Sequence, residues 1–336
     1  MILAGDVGGT KCNLAILDVV GDRFLPIEEA TFPSRDFQTF EEVVLRFLEL
    51  DEVLRLRAAV RGAAFGIAGP IVRGRVKTPN LPWTIELDAL QNRIQLQSVD
   101  LINDLEATGY GVLILEKHEF QTLNEGEKDP EGHMALVAAG TGLGEALLFK
   151  GDGKVYPVPS EGGHSDFAPR NELEIALLKY LLALWPHVSY ERVLSGPGLL
   201  NIYNFLKDSG FGKEASWFQK KLAAGEDPAA VISSAALRED CPLCVQALDI
   251  FSSIYGAEAG NLALKVKAVG GTFVGGGIAP KILPKLCDGT FLKAFLDKGR
   301  MEPLMRSMPV QVVLNPKTAL FGAANFARIR LEGAGG

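Results

Sequence analysis

The sequence lacks any run of about 18 uncharged apolar residues, so no membrane-spanning helix is expected. It also lacks a basic excess. Lys+Arg number 34 against 41 Asp+Glu, a net charge of −7. Nucleic-acid binders and proteins of anionic membranes carry a basic footprint, so both partner classes are excluded here. Cysteine and histidine are scarce, four of each. Of Cys12, Cys241, Cys244 and Cys287, only Cys241-Pro-Leu-Cys244 has a suggestive spacing. No second CxxC and no histidine pair completes a zinc set, so free thiols in a reducing compartment are expected. Met1-Ile2-Leu3-Ala4 has no charged segment before it and is broken at once by Gly5-Asp6, unlike a secretory leader. The expectation is a cytoplasmic protein. No low-complexity stretch or polar linker is present. What remains is 336 residues, 47% hydrophobic and 22% charged, the balance of a soluble globular protein with two domains.

Short apolar runs at Leu14–Leu17, Ala58–Ile67, Val99–Ile102, Ala135–Ala139, Ala146–Phe149 and Gly270–Val274 predict strands. Phe37, Phe40, Val43, Val44, Phe47 and Leu48 recur at helical spacing, which predicts an amphipathic helix over 37–50. A helix starts near Asp104, and another runs over Glu172–Trp185, opened by Asn171 and stopped by Pro186. Helices also fit 214–223, 227–237, 242–268 and 318–329, the last followed by a frayed tail. An internal echo organises these elements. Strand, Gly-Asp-Val-Gly-Gly-Thr, strand occupies Ile2–Ile16, and strand, Ala-Gly-Thr-Gly-Leu-Gly, strand occupies Leu136–Phe149, about 130 residues later. Two related α/β lobes with a ligand cleft are expected, divided as 1–106 plus 317–334 and 107–316.

Glycine turns let backbone N–H groups approach an anion without a side-chain clash. The loops at 5–10 and 140–144 lack the Gly-Lys-Ser/Thr ending of a Walker loop. Strands follow them, so they are not Rossmann fingerprints either. A third loop, Gly275-Gly276-Gly277, follows a buried strand and precedes a predicted helix. One such loop is an ordinary turn; three, two with a Thr and one with an Asp, point to phosphate. Asp6 beside such a cradle suits Mg²⁺ held through water. Read from the residues alone, Asn103-Asp104 is first a helix N-cap, and otherwise a polar pair at a strand end, where functional groups of α/β folds gather.

The segments LAGDVGGTK, FGIAGP, TPNLPW, LINDLEATGYG, AAGTGLGEAL, PSEGGHSDFAP, ERVLSGPGL and VGGGIAPKI occur in an order that resembles bacterial glucokinases. The resemblance spans residues 2 to 327, and its most specific pieces are Leu101–Asp104 and Glu161–Ala168. It implies an α/β, two-lobed actin-like ATPase (ribonuclease H-like) fold and ATP-dependent phosphorylation of D-glucose at its 6-hydroxyl. The related ROK sugar kinases add a zinc-binding histidine and cysteine cluster. Nothing like it follows residue 164, so the zinc-free branch is expected.

By the same resemblance Asp104 is the general base for the 6-hydroxyl and Asn103 binds a ring hydroxyl. Glu161, His164 and Glu191 complete the sugar site, with Asn80 and Asp166 as weaker choices that serve equally well to hold loops. Carboxylates suit vicinal diols, because two oxygens accept from two adjacent hydroxyls. His118, His133 and His187 read as structural. For ATP, the phosphates face Gly8, Gly9 and Thr10 on one side and Gly140, Thr141 and Gly142 on the other. Gly275, Gly276 and Gly277 leave room for adenosine. Lys11 is either an electrostatic helper or a surface lysine. Glu145 departs from the pattern: on a strand it either points away from the loop, or points inward, where a carboxylate would weaken nucleotide binding or recruit a cation. Closure of the lobes on sugar is expected, with hinges near 104–108 and 314–318, and a homodimer. A sugar-sensing protein without catalysis, a chaperone- or actin-like ATPase, and a kinase for another hexose or amino sugar are the competing readings. The acidic chain, which opens directly on the phosphate hairpin, disfavours a DNA-binding sensor.

Overall fold

The computed structural model describes residues 1–334 other than 22, 79, 80 and 97. The chain forms two compact units. The first comprises Met1–Lys117, Pro157–Pro159 and the segment from Asn315 onward; the second comprises His118–Tyr156 and Ser160–Leu314.

The first unit is built on a sheet in the order β3-β2-β1-β4-β8. Its strands are β1 (Ile2–Val7), β2 (Lys11–Val20), β3 (Arg23–Pro33), β4 (Gly62–Ile67) and, after three short strands, β8 (Val99–Asn103). Those three, β5 (Ile71–Val72), β6 (Arg75–Lys77) and β7 (Thr84–Glu86), make a small separate sheet. The apolar residues of β1 and β4 are buried on both faces, as a parallel central pair requires. β1, β4 and β8 run parallel with Val7 opposite Ile67 and Ile67 opposite Asn103. Their carboxyl ends therefore align along one edge. The expected strand over 58–67 begins only at Gly62, because Arg57–Ala59 continue the preceding Asp51–Leu56 helix as a 3₁₀ turn. Alanines favour that continuation.

The expected helix over 37–50 spans Phe40–Leu48. Thr39 Oγ1 accepts from Glu42 N at its start, and the Glu42 carboxylate accepts from Gln38 N at 2.8 Å. This exchange fixes the first turn two to three residues later than the apolar periodicity alone implies. The helix Asp104–Val112 crosses the C-terminal helix Thr318–Ala334 at backbone distance. A Cβ on Gly322 would overlap the Ala107 carbonyl, so glycine is required by the close approach. Asn325 Nδ2 donates to Tyr110 O at 3.1 Å across the same contact. The C-terminal helix continues to Ala334 instead of fraying at 329.

The second unit holds a sheet in the order β12-β11-β10-β13-β14-β9. Its strands are β9 (Phe120–Asn124), β10 (Met134–Ala139), β11 (Leu143–Gly151), β12 (Lys154–Ser160), β13 (Gly271–Gly275) and β14 (Val310–Val313). The internal echo is visible in the pairing. β1 is antiparallel to β2 and parallel to β4, and β10 is antiparallel to β11 and parallel to β13. A long helix, Pro242–Val266, is buried along most of its length and forms the centre of the unit. The expected start of a helix after the third glycine loop is a 3₁₀ turn, Ala279–Ile282, leading into Leu283–Cys287. Cys241 and Cys244 are free and buried at the head of the long helix, and burial raises the Cys244 thiol pKa.

Candidate active site

At the carboxyl edge of the first sheet, the β1–β2 turn is pinned through its carbonyls. Ser34 Oγ donates to Gly8 O at 2.7 Å and Ser34 N donates to Thr10 O at 3.0 Å. Gly8 N closes the turn on Lys11 O. Asp6 is half-buried just before it and accepts from Asn13 Nδ2 at 3.2 Å, and Asn13 Oδ1 in turn accepts from Thr31 Oγ1. Burial raises the Asp6 pKa, opposed by the Asn13 hydrogen bond and the Lys11 charge.

Two strands along the same edge, β8 ends at Asn103 and the next helix begins at Asp104. Asn103 is the N-cap: its Oδ1 accepts from Leu105 N at 2.9 Å and Glu106 N at 3.4 Å. Its Nδ2 donates to Gly69 O at 3.2 Å, tying the loop after β4 to the cap. The cap reading of Asn103 therefore holds. Asp104 occupies the first helical position, half-buried, with Oδ1 accepting from Leu105 N at 2.9 Å. A carboxylate at a helix N-terminus is favoured by the helix dipole. A Cβ on Gly66 would crowd Ala107 Cβ, so this glycine brings the start of the helix down onto β4.

In the second unit, the loops 140–142 and 276–278 follow the adjacent parallel strands β10 and β13, with Ala138 opposite Gly275. A buried phenol that the sequence did not single out ties them together. Tyr255 OH accepts from Ala139 N at 3.1 Å and lies 3.1 Å from Gly275 O and 3.3 Å from Val137 O. Gly276 has φ +83°, and a Cβ there would overlap the Ala139 carbonyl, so this position needs glycine for the fold itself. Gly140 and Gly277 do not. Neither has a positive φ, and a Cβ on either would meet no atom within 4 Å. Glycine there leaves open space above each loop.

The segment Glu161-Gly-Gly-His164 lies flat on β11 because its glycines admit no side chain. A Cβ on Gly163 would overlap the Leu143 carbonyl, and one on Gly162 would overlap the Glu145 carboxylate. Glu161 and His164 flank them, 72% and 60% exposed, with Nε2 and Oε2 3.9 Å apart. Glu191 sits on a 3₁₀ turn, Tyr190–Arg192, and its Oε2 accepts from Leu143 N at 2.9 Å. That carboxylate lies so close to Gly142 that a Cβ there would stand 2.5 Å from it. Glu191 thus braces the base of the 140–142 loop. Asp166 is paired with His187 at 2.8 Å and bridges Ser189, which is a loop-holding role. His133 is structural: its Nδ1 accepts from Lys150 N, and its ring stacks on Phe149. Glu145 lies beneath the Gly162-Gly163 turn, its Oε2 within overlap distance of a Cβ on Gly162. It is 1% exposed and packed beneath the 161–164 turn against Glu258. Asn80 lies outside the described residues.

A glucokinase family model matches residues 3–330. A glucokinase of Nostoc sp. strain PCC 7120 is 42% identical, covering 96% of this chain and 98% of the relative. The chain belongs to the glucokinase family. Among solved structures, glucokinase from an Antarctic psychrotroph superposes with a TM-score of 0.84 at 30% identity, covering 98% of both chains. A ROK family glucokinase from Streptomyces griseus, solved with glucose and AMPPNP, has the same fold at a TM-score of 0.65, 21% identity and coverage of 98% and 99%. The fold is thus the actin-like ATPase fold of these sugar kinases. Among the described residues no helix is long and apolar enough to cross a membrane.

Proposed function

We propose that this glucokinase-family protein transfers the terminal phosphoryl group of ATP to the 6-hydroxyl of D-glucose. The observation that carries the reading is the family match over residues 3–330, with Asp104 held at a helix start on the carboxyl edge of a parallel sheet. A sugar hydroxyl is a very weak acid, so transfer requires a base that takes its proton as the new O–P bond forms. Asp104 fills that role: Oδ1 is held by Leu105 N, which fixes the carboxylate plane. Glu161 and His164, exposed on their glycine turn, bind glucose hydroxyls. Glu191 joins them with Oε1 while Oε2 stays on Leu143 N, so one side chain serves both sugar and phosphate loop.

By the family resemblance, the loop 8–10 of the first unit and the loop 140–142 of the second are each assigned to ATP phosphates. The open space at Gly140 and Gly277 fits a ligand that passes close to backbone. Mg²⁺ fits Asp6. Its half-buried carboxyl has a raised pKa, so a neighbouring cation would favour its charged form. Mg²⁺ keeps much of its hydration, so one carboxylate beside the phosphates suits it. When bound, Mg²⁺ neutralises charge on the phosphate oxygens. We read the enzyme as a zinc-free cytoplasmic homodimer on the strength of the family resemblance.

The test is a panel of hexoses with MgATP, with ADP release measured and the product's phosphate position assigned by NMR. Glucose 6-phosphate is expected. ATP consumption without a sugar phosphate, or turnover of another sugar alone, would reject the reading.

A further inference from the structure

Beneath the sugar-binding turns lie two carboxyl groups that the reaction as described does not use. Glu145, inward-facing on β11, is 1% exposed, and Glu258, on the Pro242–Val266 helix, is fully buried. Glu145 Oε1 and Glu258 Oε1 meet no hydrogen-bond donor. Two ionised carboxylates in that position would repel one another without solvent to screen them. A single proton held between them removes one charge and supplies the missing donor.

The surroundings connect this pair to both turns. Above Glu145, Gly162 rests on its carboxylate, and Ser160 Oγ donates to Glu145 O at 3.0 Å while accepting from Gly162 N at 3.2 Å. Beside Glu258, Asn261 Nδ2 donates to Glu258 Oε2 at 2.8 Å and to Tyr190 OH at 3.1 Å. Tyr190 is the residue directly before Glu191, and burial and the Glu258 charge raise its phenol pKa. The other titratable groups facing the pair are Tyr255, Lys265 and Lys298. Lys265 Nζ stands 3.7 Å from Glu258 Oε1, largely in solvent. Lys298 Nζ donates to Asn261 Oδ1 at 2.8 Å.

We propose that Glu145 and Glu258 are positioning residues which share one proton, and that this proton seats the Glu161–His164 and Tyr190–Arg192 turns for sugar binding. The proposal rests on the sugar-site assignment of those turns given above. Burial and the Glu258 charge move the Glu145 carboxyl up to about 8, so the proton is lost just above neutrality. A second buried negative charge then lies against Gly162, and the turn lifts. Glucose affinity falls, while the loops 140–142 and 276–278 keep the Tyr255 hydroxyl between their strand ends.

The experiment measures glucose KM and kcat from pH 6.5 to 9.5 for wild type, Glu145→Gln and Lys298→Arg, beside the infrared carboxylic acid band of the protein in heavy water. Lys298 is included because burial and the Arg170 charge bring its own pKa down to about 8. Expected for wild type is a glucose KM that rises on the order of tenfold per pH unit above about 8, with kcat changing several-fold less. The acid band should disappear over the same range. Glu145→Gln, neutral at every pH, should lack both the band and the KM rise, and Lys298→Arg should keep both. A flat wild-type KM, or a rise that persists in Glu145→Gln, overturns the proposal. If that variant does not fold, Glu258→Gln takes its place, and wild type alone still decides: a band unchanged across the KM rise refutes the pair. An enzyme without glucose turnover at any pH refutes the functional reading instead, and the band then reports on the pair independently.

Discussion

Replacing Glu145 by Gln should change how stability depends on pH as well as how the enzyme binds sugar. In the unfolded chain a glutamate carboxyl titrates at its ordinary 4.5; in the folded protein Glu145 titrates at about 8, because burial and Glu258 oppose its charge. Between those values the folded state holds a proton that the unfolded state has released. The folded pKa is the higher, so the stabilisation is fully present below about 4.5 and is lost as pH rises through about 8. The slope for one proton is about 1.4 kcal/mol per pH unit, and the full interval of about 3.5 units corresponds to roughly 5 kcal/mol. Gln carries the neutral hydrogen bond and no titration. The difference in unfolding free energy, wild type minus Glu145→Gln, should therefore fall by about 3 kcal/mol between pH 5 and 7.5. Urea unfolding followed by tryptophan fluorescence measures it, with Trp185 and Trp217 in the unit that contains Glu145 and Trp83 in the other. Subtracting the variant cancels the other titrating groups. A difference constant to within about 0.5 kcal/mol across that range would refute the shared proton and the reasoning built on it.

Other positions separate fold from ligand. Gly140→Ala and Gly277→Ala should leave stability within about 0.5 kcal/mol of wild type, since a Cβ there touches nothing, yet raise the KM for ATP several-fold. Loss of stability in thermal melts would show that those glycines serve the fold. Gly163→Ala should do the reverse at the sugar: its Cβ would overlap the Leu143 carbonyl, so glucose KM rises while ATP KM changes little. Equal effects on both substrates would contradict the assignment of that turn. Tyr255→Phe leaves the Ala139 N–H without its partner and should destabilise by about 1–3 kcal/mol in chemical unfolding.

Much of the candidate site was legible because its residues lie close together in sequence. The three glycine loops, the Asn103-Asp104 pair and the Glu161–His164 turn each sit within a few residues, and short motifs announce them. Glu191 showed its place in a motif but not its partner, since the Leu143 N–H it accepts lies 48 residues away. Glu145 lies on β11 and Glu258 on the long helix, and no window of sequence contains both. The same limit hid Tyr255, which reads as one more core aromatic on an apolar helix until its hydroxyl is found on two strand ends. Among the strands, β3 escaped notice because Pro26, Glu28 and Glu29 interrupt any alternation on an exposed edge. The helix Gly196–Asp208 was obscured by its Ser-Gly-Pro-Gly start, which reads as a loop and is in fact a Ser195 cap with proline in the first turn.

The central claim is that Asp104 takes the proton of the sugar hydroxyl, and the Asp104→Asn variant tests it most directly. Asparagine preserves the size of the side chain and its contact with Leu105 N while removing the basic oxygen. With saturating glucose and MgATP, kcat should fall on the order of 10²-fold or more, with glucose binding by calorimetry within about threefold of wild type. A variant whose kcat stays within a few-fold of wild type would contradict the account.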